Sequence, residues 1–114
     1  MNDLMKNVRI VEVYSDVAGY KKGASLGIDA LRASSKELNA EYYEKLQLDS
    51  IKNDYIHEEE SPFKHAKYAD VIEPVISKLA HKIKEIREEN QFPIVIAGDH
   101  SSCAGTMHGL KMAH

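Results

Sequence analysis

Cys103 is the only cysteine among 114 residues, which excludes an intrachain disulfide and suits a reducing compartment. No apolar run approaches the roughly 20 residues that cross a bilayer. The amino terminus carries Asp3 and Asp16 around a short strand-like run, where a signal peptide would need a longer hydrophobic stretch. Cytoplasmic residence without a membrane partner is the expectation. An excess of positive charge is also missing. The 15 Lys and Arg are outnumbered by 18 Asp and Glu, and the lysines are scattered among acids, so no basic surface fits a phosphate backbone and no nucleic-acid partner is expected. Gly19, Gly23 and Gly27 have neither the spacing nor the placement of a dinucleotide fingerprint, and there is no Walker pattern.

With 43% apolar and 29% charged residues the composition is that of a globular protein. Its length suits one domain, 1–114, that buries roughly two thirds of its extended surface. Val8–Tyr14 is rich in β-branched residues and predicts a first strand. Residues 15–27 predict a glycine-containing loop, followed by a short helix through Ile28, Leu31 and Arg32. Ser34 and Glu37 stand in capping-box spacing, which predicts a second helical piece through Tyr42, Tyr43 and Leu46. A weak edge strand over 46–51 and a polar loop over 53–65 come next. Tyr68, Ile72, Val75, Ile76, Leu79, Ile83 and Ile86 fall on one helical face, with Pro74 either kinking the helix or marking its first turn. The strand Phe92–Ala97 follows almost at once, and strand, long helix, strand implies a parallel crossover. A final helix is predicted with Cys103, Met107 and Leu110 as its apolar stripe and Ser101 or Ser102 as its cap. The fold class is therefore α/β, with about three strands and flanking helices.

The chemistry concentrates where the strand Phe92–Ala97 runs into Gly98, Asp99, His100, Ser101 and Ser102. Polar side chains at the carboxyl edge of a parallel sheet are where open α/β folds bind ligands. His100 reads as a metal ligand or as a hydrogen-bonded strand-end histidine, and Asp99 as an orienting carboxylate or a turn and cap residue. His108 and His114 could join His100 or Cys103 around zinc or nickel, although the spacing is no recognised ligand pattern. His57 and His65 fall in the polar loop, and His81 beside the long helical stripe. Cys103 reads as a buried small hydrophobe rather than a nucleophile, because no base accompanies it. Tyr42, Tyr43 and Tyr68 read as packing residues.

Ala97-Gly98-Asp99-His100-Ser101 followed by Gly105-Thr106 resembles the first metal-site motif of the ureohydrolases, the family of arginases and agmatinases. The segment from Gly23 to Arg32 resembles the glycine-containing loop and first helix of that family. The intervening lengths match its amino-terminal region, the arginase branch most nearly. Ala97 and Ile28 depart from it, standing where glycine and proline are common. The resemblance implies a three-layer α/β fold whose full sheet has eight parallel strands, the first three in the order 2-1-3. It also implies a guanidino hydrolase, L-arginine to ornithine and urea, that uses two bridged Mn²⁺ ions. His100 corresponds to one metal ligand, with Asp99 and Ser101 supporting it. The family's Asp-x-His-x-Asp and Asp-x-Asp motifs, its catalytic histidine and its substrate-contacting acid have no counterpart within 114 residues. The chain is expected to be an amino-terminal portion, inactive alone, with its Mn²⁺ site incomplete or absent. Its partners would be a second copy, covering the Phe92–Ala97 strand or adjoining helices, or a complementary carboxyl-terminal fragment. A non-catalytic oligomerising domain and a small metal-binding protein are the alternatives.

Overall fold

β-branched residues at successive positions make Val8–Tyr14 the central strand, β1, of a three-stranded sheet. The computed structural model describes residues 6–19, 23–39, 45–53 and 64–114. Within these, the chain runs β1, α1 (Leu26–Asn39), β2 (Gln47–Lys52), α2 (Ala69–Glu88), β3 (Phe92–Ala97) and α3 (Ser102–Ala113). All strands are parallel in the order β2-β1-β3. Ile10 to Val13 are buried on both faces, as expected of a central parallel strand, and β2 is the predicted edge.

The register decides which side chains share a face. Val11 and Val13 of β1 lie with Val95 and Ile51, and α2 covers them with Val75, Leu79, Ile83 and Ile86 while Leu110 of α3 packs alongside. On the opposite face Ile10 and Leu46 group with Val8, Leu48 and Ile96. There α1 meets the sheet through Arg32 against Glu12 and Asp29 against Tyr14, which completes three layers.

α2 follows the periodicity that predicts it. It ends in a Schellman arrangement: Asn90 takes a left-handed conformation at φ 59°, its N–H donates to the Arg87 carbonyl, and Gln91 N–H donates to that of Ile86. This turn sends the chain directly into β3. Pro74 lies inside the helix, beyond its first turn, and so does not mark the start.

Two helical expectations are corrected. α1 is continuous, and Ser34 is an exposed mid-helix residue instead of a cap; Ala30, Ala33 and Lys36 favour helix throughout and nothing breaks it. The expected extension through Tyr42 and Tyr43 lies outside the described residues. In α3 the buried residues are Ser102, Gly105 and Gly109, whereas Cys103 is exposed, Met107 is 62% exposed and Leu110 is half-buried. The reason is helix contact at short range. A Cβ on Gly109 would stand 2.5 Å from the Ala80 carbonyl oxygen and 2.6 Å from Ile83 Cβ, and one on Gly105 would stand 2.9 Å from the Ile76 carbonyl oxygen. The small residues of α3 therefore seat it closely on α2, Leu110 packs beside them, and Cys103 and Met107 face away.

Candidate functional site

The carboxyl ends of β1 and β3 are neighbours, so the loops that leave them meet. Gly98 makes the meeting possible: a Cβ there would stand 2.6 Å from the Ser15 carbonyl oxygen and 2.9 Å from Ser25 N. Asp99 joins the two loops. Its Oδ2 accepts the Ala18 N–H at 3.1 Å, while its Oδ1 accepts the Ser101 N–H at 2.9 Å and the Ser101 hydroxyl. The Asp99 carboxylate thus forms the turn into α3, with no capping bond from the Ser101 side chain. Asp16, nearly buried, does comparable work before α1, accepting the Gly23 N–H at 2.7 Å and the Ser25 hydroxyl at 3.1 Å.

His100 follows on this braced turn and is exposed. A cavity of about 490 Å³ opens here, lined among others by Val95, Asp99, His100, Ser102 and Cys103. The Ser102 hydroxyl is buried and without a hydrogen-bond partner. Cys103, in the first turn of α3, is solvent-accessible, which corrects the expectation of a buried thiol.

The remaining histidines disperse. His65, His81, His108 and His114 are exposed, and His57 lies outside the described residues. His81 Nδ1 is 2.8 Å from the Ser77 carbonyl oxygen on its own helix. Among the described residues no three His, Cys, Asp or Glu side chains gather where an ion could be held. A two-manganese centre needs several carboxylates and imidazoles to balance its charge. One imidazole beside an aspartate already occupied by three donors does not fit such a centre, so the described residues do not build it by themselves.

Polar features absent from the sequence reading are Glu12 and its partners. Glu12 is fully buried in β1, paired with Arg32 and accepting the Tyr14 hydroxyl at 2.8 Å. An acid in the middle of an apolar strand was the available signal. Nothing in the spacing identified Arg32 as its partner.

Comparison with known proteins gives a consistent result. The chain is 28% identical to the arginase of Bacillus caldovelox over 112 residues, covering 93% of this chain and 36% of that protein. It is 27% identical to the arginase of Staphylococcus aureus strain COL, again covering 93% of this chain and 36% of the other. The chain therefore spans little more than a third of the curated relatives it matches. Among solved structures, the Bacillus caldovelox arginase superposes with a TM-score of 0.68 at 21% identity, over 95% of this chain and 37% of that one. A Bacillus subtilis arginase superposes with a TM-score of 0.67 at 20% identity, over 94% and 34%. The model of the arginase family matches residues 6–114, and the chain belongs to that family, corresponding to its amino-terminal part.

Proposed function

We propose that this chain supplies the first three strands and one metal-facing histidine, His100, of an arginase-like guanidino hydrolase that acts with Mn²⁺, and that it is inactive without a complementary carboxyl-terminal portion. The observation that carries this reading is the family match over residues 6–114, set against a site whose exposed imidazole belongs to no group of three potential ligands among the described residues. In this reading Asp99 and Ser101 are positioning residues: they hold the turn from which His100 projects. Cytoplasmic residence belongs to the same proposal. No described helix is long and apolar enough to cross a membrane.

The outer edge of β3, which has no neighbour among the described strands, supports the complementing role. Phe92 N–H donates to the Asn7 carbonyl, so by strand alternation Ile94 and Ile96 also face β1, while Pro93, Val95 and Ala97 face outward. Pro93 therefore places its missing N–H on the open side, as edge strands tolerate. A strand laid parallel to β3 meets Pro93 first and then finds the Val95 and Ala97 donors in full. A second copy pairing antiparallel about a two-fold axis must forfeit bonds opposite Pro93 or slide towards the strand's carboxyl end. The favoured occupant is thus a carboxyl-terminal arginase segment, and self-pairing is what the isolated chain does in its absence.

The test is to mix the chain with a carboxyl-terminal arginase fragment, Mn²⁺ and L-arginine and to measure urea. Activity is expected from the mixture alone, with at least a tenfold loss for His100→Ala, in line with removal of a metal ligand. Urea release by the chain unaided, or a bound but inactive mixture, overturns the proposal.

A further inference from the structure

α2 and α1 are held on opposite faces of the sheet by different kinds of contact. α2 buries Val75, Leu79, Ala80, Ile83 and Ile86. Among the described side chains of α1 only Ile28 is buried, while Leu26, Leu31 and Leu38 are 68%, 45% and 86% exposed. The other described ties from α1 to β1 are polar. Arg32 Nη2 pairs with Glu12 Oε1, and the Tyr14 hydroxyl lies 2.8 Å from Glu12 Oε2 and 3.0 Å from Asp29 Oδ1. A phenol has one hydrogen, so Tyr14 can donate to only one of those carboxylates at a time. The tie through Asp29 competes with the bond inside the strand.

Beneath the helix there is a polar gap in place of an apolar seam. The register sets Ser50 beside Glu12 and Lys52 beside Tyr14, all on the face that α1 covers. A cavity of about 450 Å³ lies there, lined by Tyr14, Asp29, Arg32, Ser50, Lys52 and Asn53. Lifting α1 would expose Ile28 to water, but it would also rehydrate Glu12, returning much of what burying that carboxylate beside the part-exposed Arg32 costs. Separation of an apolar seam brings no such return.

We propose that α1 is a detachable cover, latched to the sheet by the Arg32–Glu12 pair, that lifts as a unit while α2, α3 and the sheet stay folded. Opening bares Glu12 and parts the cavity, carrying Asp29 and Arg32 away from Tyr14, Ser50 and Lys52. This inference is independent of the hydrolase reading, because it concerns the face of the sheet opposite α2 and α3.

Hydrogen exchange followed by mass spectrometry on the 114-residue chain tests it. Amides of α1 are expected to exchange at least a hundredfold faster than those of α2, and Arg32→Met is expected to accelerate α1 at least a further tenfold while α2 stays the better protected. The paired replacement Glu12→Leu with Arg32→Leu, which substitutes an apolar seam for the latch, is expected to slow α1 exchange. Protection of α2 reports in the same experiment that each variant is folded. Should Arg32→Met not fold, the paired variant decides alone, since unchanged or faster α1 exchange in it overturns the proposal. Equal protection of α1 and α2 in the parent chain also overturns it.

Discussion

Tyr14 shows how one side chain ties the energetics of the fold to pH. Burial first, then the hydrogen bonds to Glu12 and Asp29, push its phenol above the ordinary value of 10.0. The folded chain therefore keeps a proton that the unfolded chain releases above about pH 10, and the stabilising contribution, complete below that pH, falls as pH rises through the folded value. Lys82, raised chiefly by its hydrogen bond to Glu85, adds a decline of the same sign. Tyr14→Phe should cost about 1 kcal/mol at neutral pH, from the lost hydrogen bond, and should flatten the alkaline limb. Denaturant unfolding of parent and variant across that range measures both effects, and parallel alkaline slopes would remove Tyr14 from the account. At Gly98 the constraint is steric. Gly98→Ala drives a methyl group into Ser15 and Ser25 backbone atoms, and a loss of about 2 kcal/mol or more is expected in the same measurement. The glycine was legible as a turn residue between strand and acid. Its second role, admitting the β1 loop to the β3 turn, depends on a neighbour some 80 positions away that no local pattern encodes.

Elements were legible in proportion to how much of their packing is periodic. α2 has a full apolar face and read correctly along nearly its whole length. β1 and β3 read correctly because an apolar run beside a long helix leaves little choice in a parallel sheet. α3 misled because its fully buried positions are glycine and serine, which carry no hydropathy signal, while of the expected stripe only Leu110 packs on the core and Cys103 and Met107 are exposed. Its dependence on close approach makes a sharp expectation: Gly109→Ala should destabilise the chain by about 2–3 kcal/mol, although alanine is the better helix former by about 1 kcal/mol. A gain in thermal stability for Gly109→Ala would mean that α2 and α3 are further apart than described. Charge ties Arg9 of β1 and Asp49 of β2 to the carboxyl end of α2. Arg9 of β1 reaches Asp49 of β2 at 2.6 Å and Glu89, just past α2, at 2.9 Å, while Lys82 of α2 reaches Glu85 at 2.9 Å and lies 3.6 Å from Asp49. Its side chain is only 14% exposed, so Arg9→Met should lower stability by about 2 kcal/mol, a larger effect than an open surface pair would give.

For the whole molecule, the position of its exposed apolar groups matters more than their number. Phe92 is 61% exposed and Ile94 37%, both on the strand whose outer edge has no neighbour among the described strands, and the register directs them to the face that α2 does not cover. An edge of this kind recruits another chain unless something covers it, and Pro93 is the only proline along it. The family resemblance made this legible in advance through strand order, and composition alone would not have. The site was less legible: the position of His100 at a strand end followed from the motif, but the engagement of Asp99 with Ala18 depends on a loop meeting that sequence spacing does not reveal. The isolated chain is expected to self-associate with rising concentration in light scattering. Phe92→Ser with Ile94→Thr should shift it towards monomer without loss of far-ultraviolet circular dichroism, because neither side chain is buried in a described core cluster. Addition of a carboxyl-terminal arginase fragment should suppress self-association in the parent, because both events use one edge. If the fragment binds and the self-associated species persists undiminished, the two surfaces are separate, and the β3 edge is not where the fragment docks.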